Sequence, residues 1–143
     1  EKKTAMNLMP RKVKHRKVQR GYNPVGTIAS RGDKVSFGAF GLKATEGGII
    51  SARQIEAARR AMTRFIARGG KVWIRIFPDT PITKKGEQVP MGKGKGTPDH
   101  FAAKVSAGRM LFELDGVPKA TAAEAMRLAA HKLSVKSRFV VKE

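Results

Sequence analysis

A large excess of positive charge constrains this chain more than any other feature of its sequence. Of 143 residues, 30 are Lys or Arg and 11 are Asp or Glu, which gives a formal net charge of +19. In a compact chain these positive side chains repel one another and attract polyanions, of which nucleic-acid phosphate backbones are the commonest. The hydrophobic fraction of 41% nevertheless fits a folded protein. The charge therefore predicts a folded domain whose partner is a nucleic acid.

The composition also excludes several classes of protein. The chain has no Cys, which rules out disulfides, thiolate zinc sites and a Cys nucleophile. No apolar run approaches the eighteen or so residues that a membrane span needs, so we expect no membrane partner. The first residue is Glu1 rather than Met, and the earlier removal of an organelle-targeting segment stays open.

The N-terminal segment, residues 1–34, is predicted to be a basic arm. It combines clustered basic side chains with Gly and Pro and has few residues that could build a core, so we expect it to become ordered on its partner. The basic residues assigned to RNA contact in this arm are Arg11, Lys12, Lys14, Arg16, Lys17 and Arg20. One folded domain is predicted over residues 35–143, beginning with a strand at 35–40.

The clearest predicted helix runs from about Ser51 to Arg68. Ser51 and Gln54 match a capping box at its start, and two Gly residues follow its end. At 100° per residue, apolar side chains share one face, and the opposite face carries Arg53, Arg60, Arg64 and Arg68. A solvated surface is the ordinary explanation of such a row. Because only Glu56 interrupts it, we favour phosphate contacts by the guanidinium groups.

Three further strands are predicted. Residues 71–77 alternate between apolar and polar side chains, and 100–106 with 109–115 match a hairpin across Ala107-Gly108. Glu113 and Asp115 share one strand face in this hairpin, where we expect them to be solvated or salt-bridged rather than paired for acid–base chemistry.

A second helix is predicted after Pro118, with Thr121 and Glu124 as its candidate capping box, and a final strand spans 135–141. The order of elements predicts an α+β fold. Two helices would pack on a mostly antiparallel sheet in a two-layer α/β sandwich, with the basic arm and one long Gly/Lys loop outside it.

That long loop is predicted over residues 79–99, which lack apolar periodicity. Its centre reads Met91, Gly92, Lys93, Gly94, Lys95, Gly96. The P-loop pattern fails because Lys95 is followed by Gly, and the dinucleotide pattern fails at Thr97. A loop of this length is usually functional or disordered. A floppy solvent loop is one interpretation, and we favour a flexible basic finger that enters a crowded polyanion.

No group of residues predicts catalysis, a cofactor or a metal. His15, His100 and His131 are separated from one another and from carboxylates at ligand spacing, which supports neither a metal site nor a His-dependent hydrolase. Trp73 and Phe77 share a strand face with Arg75 and could stack on bases, but packing under a helix explains them at least as well. We therefore predict a protein that is not an enzyme and needs no cofactor.

Motifs spread along the chain also agree, in order, with one known family. They are Met9-Pro10-Arg11-Lys12, Phe37-Gly38, Phe40-Gly41-Leu42, Arg53–Arg59, Arg68–Ile74, Phe77-Pro78-Asp79, Met91–Gly96, Phe112-Glu113, Gly116-Val117 and Ala130–Leu133. On these residues the chain resembles the large-subunit ribosomal protein L-sixteen family of bacteria and organelles. The agreement covers nearly the whole chain from about Leu8.

The resemblance implies a structural protein that binds large-subunit rRNA beside the peptidyl transferase region, helps to position tRNAs and joins late in subunit assembly. It implies rRNA, tRNA acceptor arms and neighbouring ribosomal proteins as partners, with no homo-oligomer, on a bacterial or organellar ribosome. Lys93 and Lys95 would approach the tRNA acceptor end. The alternatives are a free-standing nucleic-acid-binding protein and an enzyme that uses the long loop as a lid over a small anion.

Two positions depart from the family pattern. Pro90 stands where the family usually has Arg, so the contact and the modification associated with that Arg do not carry over to this chain. Ser134 stands where the family usually has Pro. Neither departure changes the predicted fold.

Overall fold

The structure, a computed structural model, describes residues 9–19, 27–67 and 69–143. Its elements follow the order β1 (Phe40–Ala44), β2 (Gly48–Ser51), α1 (Ala52–Ile66), β3 (Lys71–Ile74), β4 (Thr80–Lys84), β5 (Thr97–Val105), β6 (Met110–Asp115), α2 (Lys119–Ala130) and β7 (Ser137–Val141). Two helices pack against antiparallel sheets, so the predicted α+β class is confirmed.

The strands form two sheets where one was predicted. The four-stranded sheet has the order β3-β6-β1-β7, and the three-stranded sheet has the order β2-β5-β4. The predicted hairpin is wrong, because β5 and β6 lie in different sheets and each already has a partner on both edges. The chain changes sheet at Gly108, which has a φ of +90° and donates to the carbonyl of Ala44 at 2.7 Å.

The predicted long loop is shorter than its sequence indicates. Strand β4 occupies its first part and β5 begins at Thr97, so the connection that remains is 85–96. Strand β4 could not be predicted because Pro81 lies within it, and Pro is rare in strands. Because β4 is at the edge of its sheet, the missing N–H of Pro81 is tolerated. The predicted strand at 35–40 is also misplaced, since β1 begins at Phe40.

Helix α1 follows its local sequence closely. The N–H of Gln54 donates to Ser51 Oγ at 3.2 Å and the N–H of Ser51 donates to Gln54 Oε1 at 3.0 Å, which confirms the capping box. Ile55, Ala58 and Met62 are fully buried on its inner face. The helix therefore has a fixed rotation, and its arginines must point away from the core.

Helix α2 begins without the predicted capping box. The structure places the N-cap at Pro118, with no side-chain hydrogen bond, and Glu124 binds Arg127 at 2.6 and 2.9 Å instead. Ala122, Ala125, Met126 and Ala129 are buried on its inner face. The helix packs on α1, β1 and β7. No helix in the described part of the chain is long and apolar enough to cross a membrane.

Glu113 is an acidic side chain buried within β6, with none of its surface exposed. Its Oε1 accepts hydrogen bonds from the N–H groups of Ser36 (2.7 Å), Phe37 (2.8 Å) and Gly38 (3.2 Å), and its Oε2 pairs with Arg75. The predicted salt bridge is therefore present, but it is buried rather than solvated. Burial raises the pKa of Glu113, and the hydrogen bonds outweigh that effect, so the pKa lies below its ordinary value.

Replacing Glu113 by Gln is expected to lower the free energy of unfolding by about 3 kcal/mol at neutral pH, because Arg75 loses its carboxylate. The folded pKa is below the ordinary value of 4.5. The natural chain should therefore lose this contribution as the pH falls below 4.5 and through the folded pKa, whereas the variant should not. Urea unfolding over a pH series measures both effects.

Glu87→Gln is the matched control for this experiment. It removes the same charge from an exposed position in the 85–96 connection. Equal destabilisation by the two substitutions, or an identical pH dependence of the natural chain and the Glu113 variant, would contradict the assignment.

Candidate nucleic-acid interface

The first cationic surface is the outer side of α1, which we name the arginine face and define by Arg53, Arg60 and Arg64. All three residues are exposed, and they line a shallow groove of about 360 Å³ together with Lys132 from the turn after α2. Arg68 lies outside the described residues. Lys132 was not predicted as a site residue, because only the packing of α2 on α1 brings it to this groove.

The arginines of α1 form two groups, those that bind the carboxylate of Glu56 and those that do not. Its carboxylate accepts hydrogen bonds from Arg59 at 2.9 and 2.5 Å and from Arg60 at 3.0 Å. The bond from Arg59 and then that from Arg60 hold the pKa of Glu56 below its usual value, although burial opposes them. Arg64 has no ion pair or hydrogen bond to any residue that the structure describes, so its guanidinium is available to a phosphate.

The second cationic surface is the part of the basic arm that the structure describes, residues 9–19. It has no helix or strand, and the side chains predicted to bind RNA there are all exposed, namely Arg11, Lys12, Lys14, Arg16 and Lys17. Of these, only Lys17 forms a hydrogen bond or ion pair within the described chain. The predicted contact Arg20 falls outside the described residues. The arm thus presents a set of exposed cationic side chains.

The arm and the long loop touch each other through two lysines. Lys17 Nζ donates to the carbonyl of Lys95 at 3.1 Å, and Lys95 Nζ donates to the carbonyl of Val18. Sequence analysis did not find this contact, because it joins residues 77 and 78 positions apart and neither lysine differs from its neighbours. The reciprocal pair makes the arm and the loop one surface, although exposed hydrogen bonds of this kind are individually weak.

The tip of the loop is the segment Met91–Gly96, which we name the GK loop. Lys85 Nζ donates to the carbonyls of Pro90 (3.2 Å), Met91 (3.3 Å) and Gly92 (2.7 Å), and so holds the entry to the GK loop. The Met91 side chain is 97% exposed. Lys93, with a φ of +65°, has no bond to any other described residue. The tip therefore offers one apolar side chain and one unengaged cation.

The base of the GK loop lies next to the start of α1. Asp99 accepts from His100 Nδ1 at 2.7 Å, and the pKa of Asp99 is lowered first by this bond and then by the nearby charges of His100, Lys84 and Arg53. Lys84 ends β4 and Asp99 belongs to β5, so this cluster connects the loop base to the arginine face. Within residues 9–19, 27–67 and 69–143, no group of three His, Asp or Glu residues could hold a metal ion.

Ser134, where the resembled family usually has Pro, is explained by its contacts. Its hydroxyl lies 2.7 Å from the carbonyl of Ile49 and 3.2 Å from Gln54 Oε1. Gln54 is the residue that completes the capping box of α1. The hydroxyl therefore connects the chain after α2 to β2 and to the start of α1.

Comparison with known families agrees with this geometry. The model of the family described as Ribosomal protein L16p/L10e matches residues 10–140. The chain belongs to this family, which confirms the resemblance seen in the sequence. It is accordingly a non-enzymatic, structural protein of the large ribosomal subunit that binds rRNA and acts in translation.

Replacing Lys95 by Ala is expected to loosen the arm from the GK loop in the free protein, because it removes the bond from Lys95 Nζ to the carbonyl of Val18 and leaves only the bond from Lys17 Nζ to the backbone carbonyl of residue 95. Trypsin should then cleave after Lys14, Arg16 and Lys17 a few times faster than in the natural chain, in keeping with the loss of weak exposed bonds. Timed digestion followed by mass spectrometry measures the rates. Lys93→Ala removes an equal charge from the same loop and should leave them unchanged; acceleration by both variants would refute the contact.

Proposed function

We propose, from membership of the L16p/L10e family, that this chain helps to position tRNA near the peptidyl transferase centre and joins the large subunit late in assembly. Its place on the ribosome and its rRNA partner follow from the family. The finer roles are assigned to two different surfaces of the chain. The arginine face and the basic arm bind rRNA, and the GK loop approaches the acceptor end of tRNA.

One observation supports the proposal most directly: many of the exposed basic side chains have no acidic partner. In the described part of the chain, the ion pairs to carboxylates engage Arg59, Arg60, Arg75 and Arg127, and His100 joins them only when its imidazole is protonated. Arg53, Arg64 and the cations of the arm from Arg11 to Lys17 belong to none of these pairs. Such exposed charges suit bidentate or point-charge contacts with phosphates.

The assignment of the GK loop to tRNA is supported by the different environments of its two lysines. The amine of Lys95 is directed to the arm, whereas that of Lys93 has no bond to another described residue. Lys95 is therefore suited to fixing the loop on the arm, and Lys93 to neutralising a phosphate of the tRNA. The partner would set the final conformation of the tip, which is exposed from Met91 to Lys95.

The two alternatives from the sequence are not retained. A free-standing nucleic-acid-binding protein would not require a match to a ribosomal family over residues 10–140. A lid enzyme would require convergent carboxylates, and Glu113 is instead committed to Arg75 and to three backbone N–H groups.

The affinity for rRNA should depend steeply on salt, with a slope of about −0.9 per neutralised phosphate on duplex. Arg64→Ala is expected to weaken binding on the order of tenfold at low salt and to reduce the slope by about 1. Glu56→Gln should act in the opposite direction, because it frees Arg59 and Arg60 from their carboxylate. Filter binding to large-subunit rRNA between about 50 and 200 mM salt measures both. A salt-independent affinity would refute phosphate binding.

The division between the two surfaces is tested on ribosomes. Lys93→Ala with Lys95→Ala is expected to slow tRNA-dependent steps while the protein still enters large subunits, because the GK loop contacts tRNA. Arg60→Ala with Arg64→Ala should instead lower incorporation into subunits. Quantitative mass spectrometry of isolated subunits and the rate of peptidyl transfer measure the two effects. Equal defects in both assays for both pairs would contradict the division.

A further inference from the structure

Two stacked aromatic side chains with a cationic side chain at each end lie beside β3. The rings of Phe37 and Trp73 stack with centroids 6.3 Å apart and an angle of 22° between their planes. Lys71 Nζ lies 5.1 Å from the centre of the Trp73 ring, and the guanidinium carbon of Arg75 lies 5.0 Å from the centre of the Phe37 ring. The four side chains form one continuous surface, which we name the aromatic row.

Phe37 is both exposed and firmly held. Its side chain is 59% exposed, while its N–H donates to the buried carboxylate of Glu113 at 2.8 Å. The neighbouring N–H groups of Ser36 and Gly38 bind the same oxygen. An aromatic ring fixed through its backbone and through one neighbouring ring loses little conformational entropy when a flat ligand lies on it.

We propose that Phe37 is a stacking platform for an unpaired base of RNA. RNA-binding proteins recognise splayed-out bases by stacking them on aromatic rings, and the aromatic row offers the exposed ring of Phe37. This inference rests on the proposed binding of rRNA. It adds a contact with a base to a surface that would otherwise contact only phosphates.

The cleft next to the aromatic row can take the phosphates of the same RNA segment. Arg75 also lines a cleft of about 450 Å³, whose other charged residues are Arg31, Lys104, Arg109 and Asp79. The guanidinium of Arg109 donates to the carbonyls of Arg31 (3.2 Å) and Arg75 (3.0 Å), which orient it without neutralising it. Phe77, which lines the cleft, is 50% exposed. The excess of cations favours a polyanion over an apolar segment of protein as the occupant.

The experiment uses the full chain, a short single-stranded oligoadenylate and an abasic oligoribose phosphate of the same length and charge. Trp73 is the one Trp of the chain, and it lies directly behind Phe37, so its fluorescence reports on the platform. Oligoadenylate is expected to change this emission, and the abasic oligomer is not. Phe37→Ala should weaken oligoadenylate binding on the order of tenfold, with the salt slope unchanged, because no charge is lost.

Two further variants separate stacking from folding. Phe37→Leu keeps an apolar side chain against Trp73 without an aromatic face and should lose affinity as Phe37→Ala does, while Phe37→Tyr should retain it. Arg31→Ala should reduce the salt slope for both oligomers by about 1, because it removes a phosphate contact. Thermal unfolding of each variant shows whether the fold is kept.

Several outcomes would overturn the platform. Binding by Phe37→Leu as tight as that of the natural chain, or equal losses on the abasic oligomer, would show that the ring does not stack on a base. If oligoadenylate does not bind while large-subunit rRNA does, the platform fails and the proposed function stands. If Phe37→Ala then blocks entry into subunits, a protein neighbour occupies the ring instead. If neither RNA binds, both proposals fail.

Discussion

The carboxylate of Glu113, buried in β6, accepts hydrogen bonds from three consecutive backbone N–H groups and pairs with Arg75. A buried carboxylate with fewer partners would cost several kcal/mol and would draw water or a proton into the sheet. Because its partners lie on the segment before β1 and just after β3, this one group fixes both against β6. The orientation of Phe37 and Arg75 follows from it, and so does the close approach of Gly38, where a Cβ would lie 2.7 Å from the carbonyl oxygen of Leu114.

Three acidic residues of this chain orient arginines. Glu56 gathers Arg59 and Arg60, Glu113 gathers Arg75, and Glu124 gathers Arg127. The exposed pair of Glu124 with Arg127 contributes little to stability, unlike the buried pair of Glu113 with Arg75, but each pair fixes the direction of a long side chain. What remains is an array of unpaired cations on the arm, on α1 and at the GK loop. A phosphate backbone can neutralise this array and release its own counterions.

Local signals were sufficient for the parts of the fold that depend on neighbours in sequence. Helix α1 could be predicted because Ser51 and Gln54 lie three residues apart and its apolar positions repeat at the helical period. The same period placed Arg53, Arg60 and Arg64 on one face. The candidate capping box of α2 was wrong because Glu124 has a competing partner in Arg127, also three residues away. The motif alone does not predict whether Glu124 binds the backbone at the start of the helix or Arg127.

Contacts between distant segments could not be predicted in the same way. Alternation in β5 and β6 is compatible with a hairpin, and only the pairing of β5 with β2 and of β6 with β1 decides against it. The meeting of Lys17 with Lys95, and of Lys132 with the arginine face, likewise depends on tertiary packing. In the sequence, Phe37 is distinguished only as part of a family motif, because exposure of a ring is a property of the folded chain.

Two of the three glycines of the GK loop are required by the packing or the backbone conformation of this chain, and the third is not. At Gly96 a Cβ would lie 2.7 Å from the carbonyl oxygen of Lys84, and Gly94 has a φ of +95°, so packing and backbone conformation account for these two residues. Gly92 has neither constraint, since nothing in the described structure lies within 4 Å of a Cβ at that position. A glycine without an internal reason, beside an exposed Met91 and an unengaged Lys93, is the pattern expected where another molecule approaches the backbone closely. The tip of the loop thus has a sequence that the packing of the domain does not explain, which supports the proposed contact with a partner.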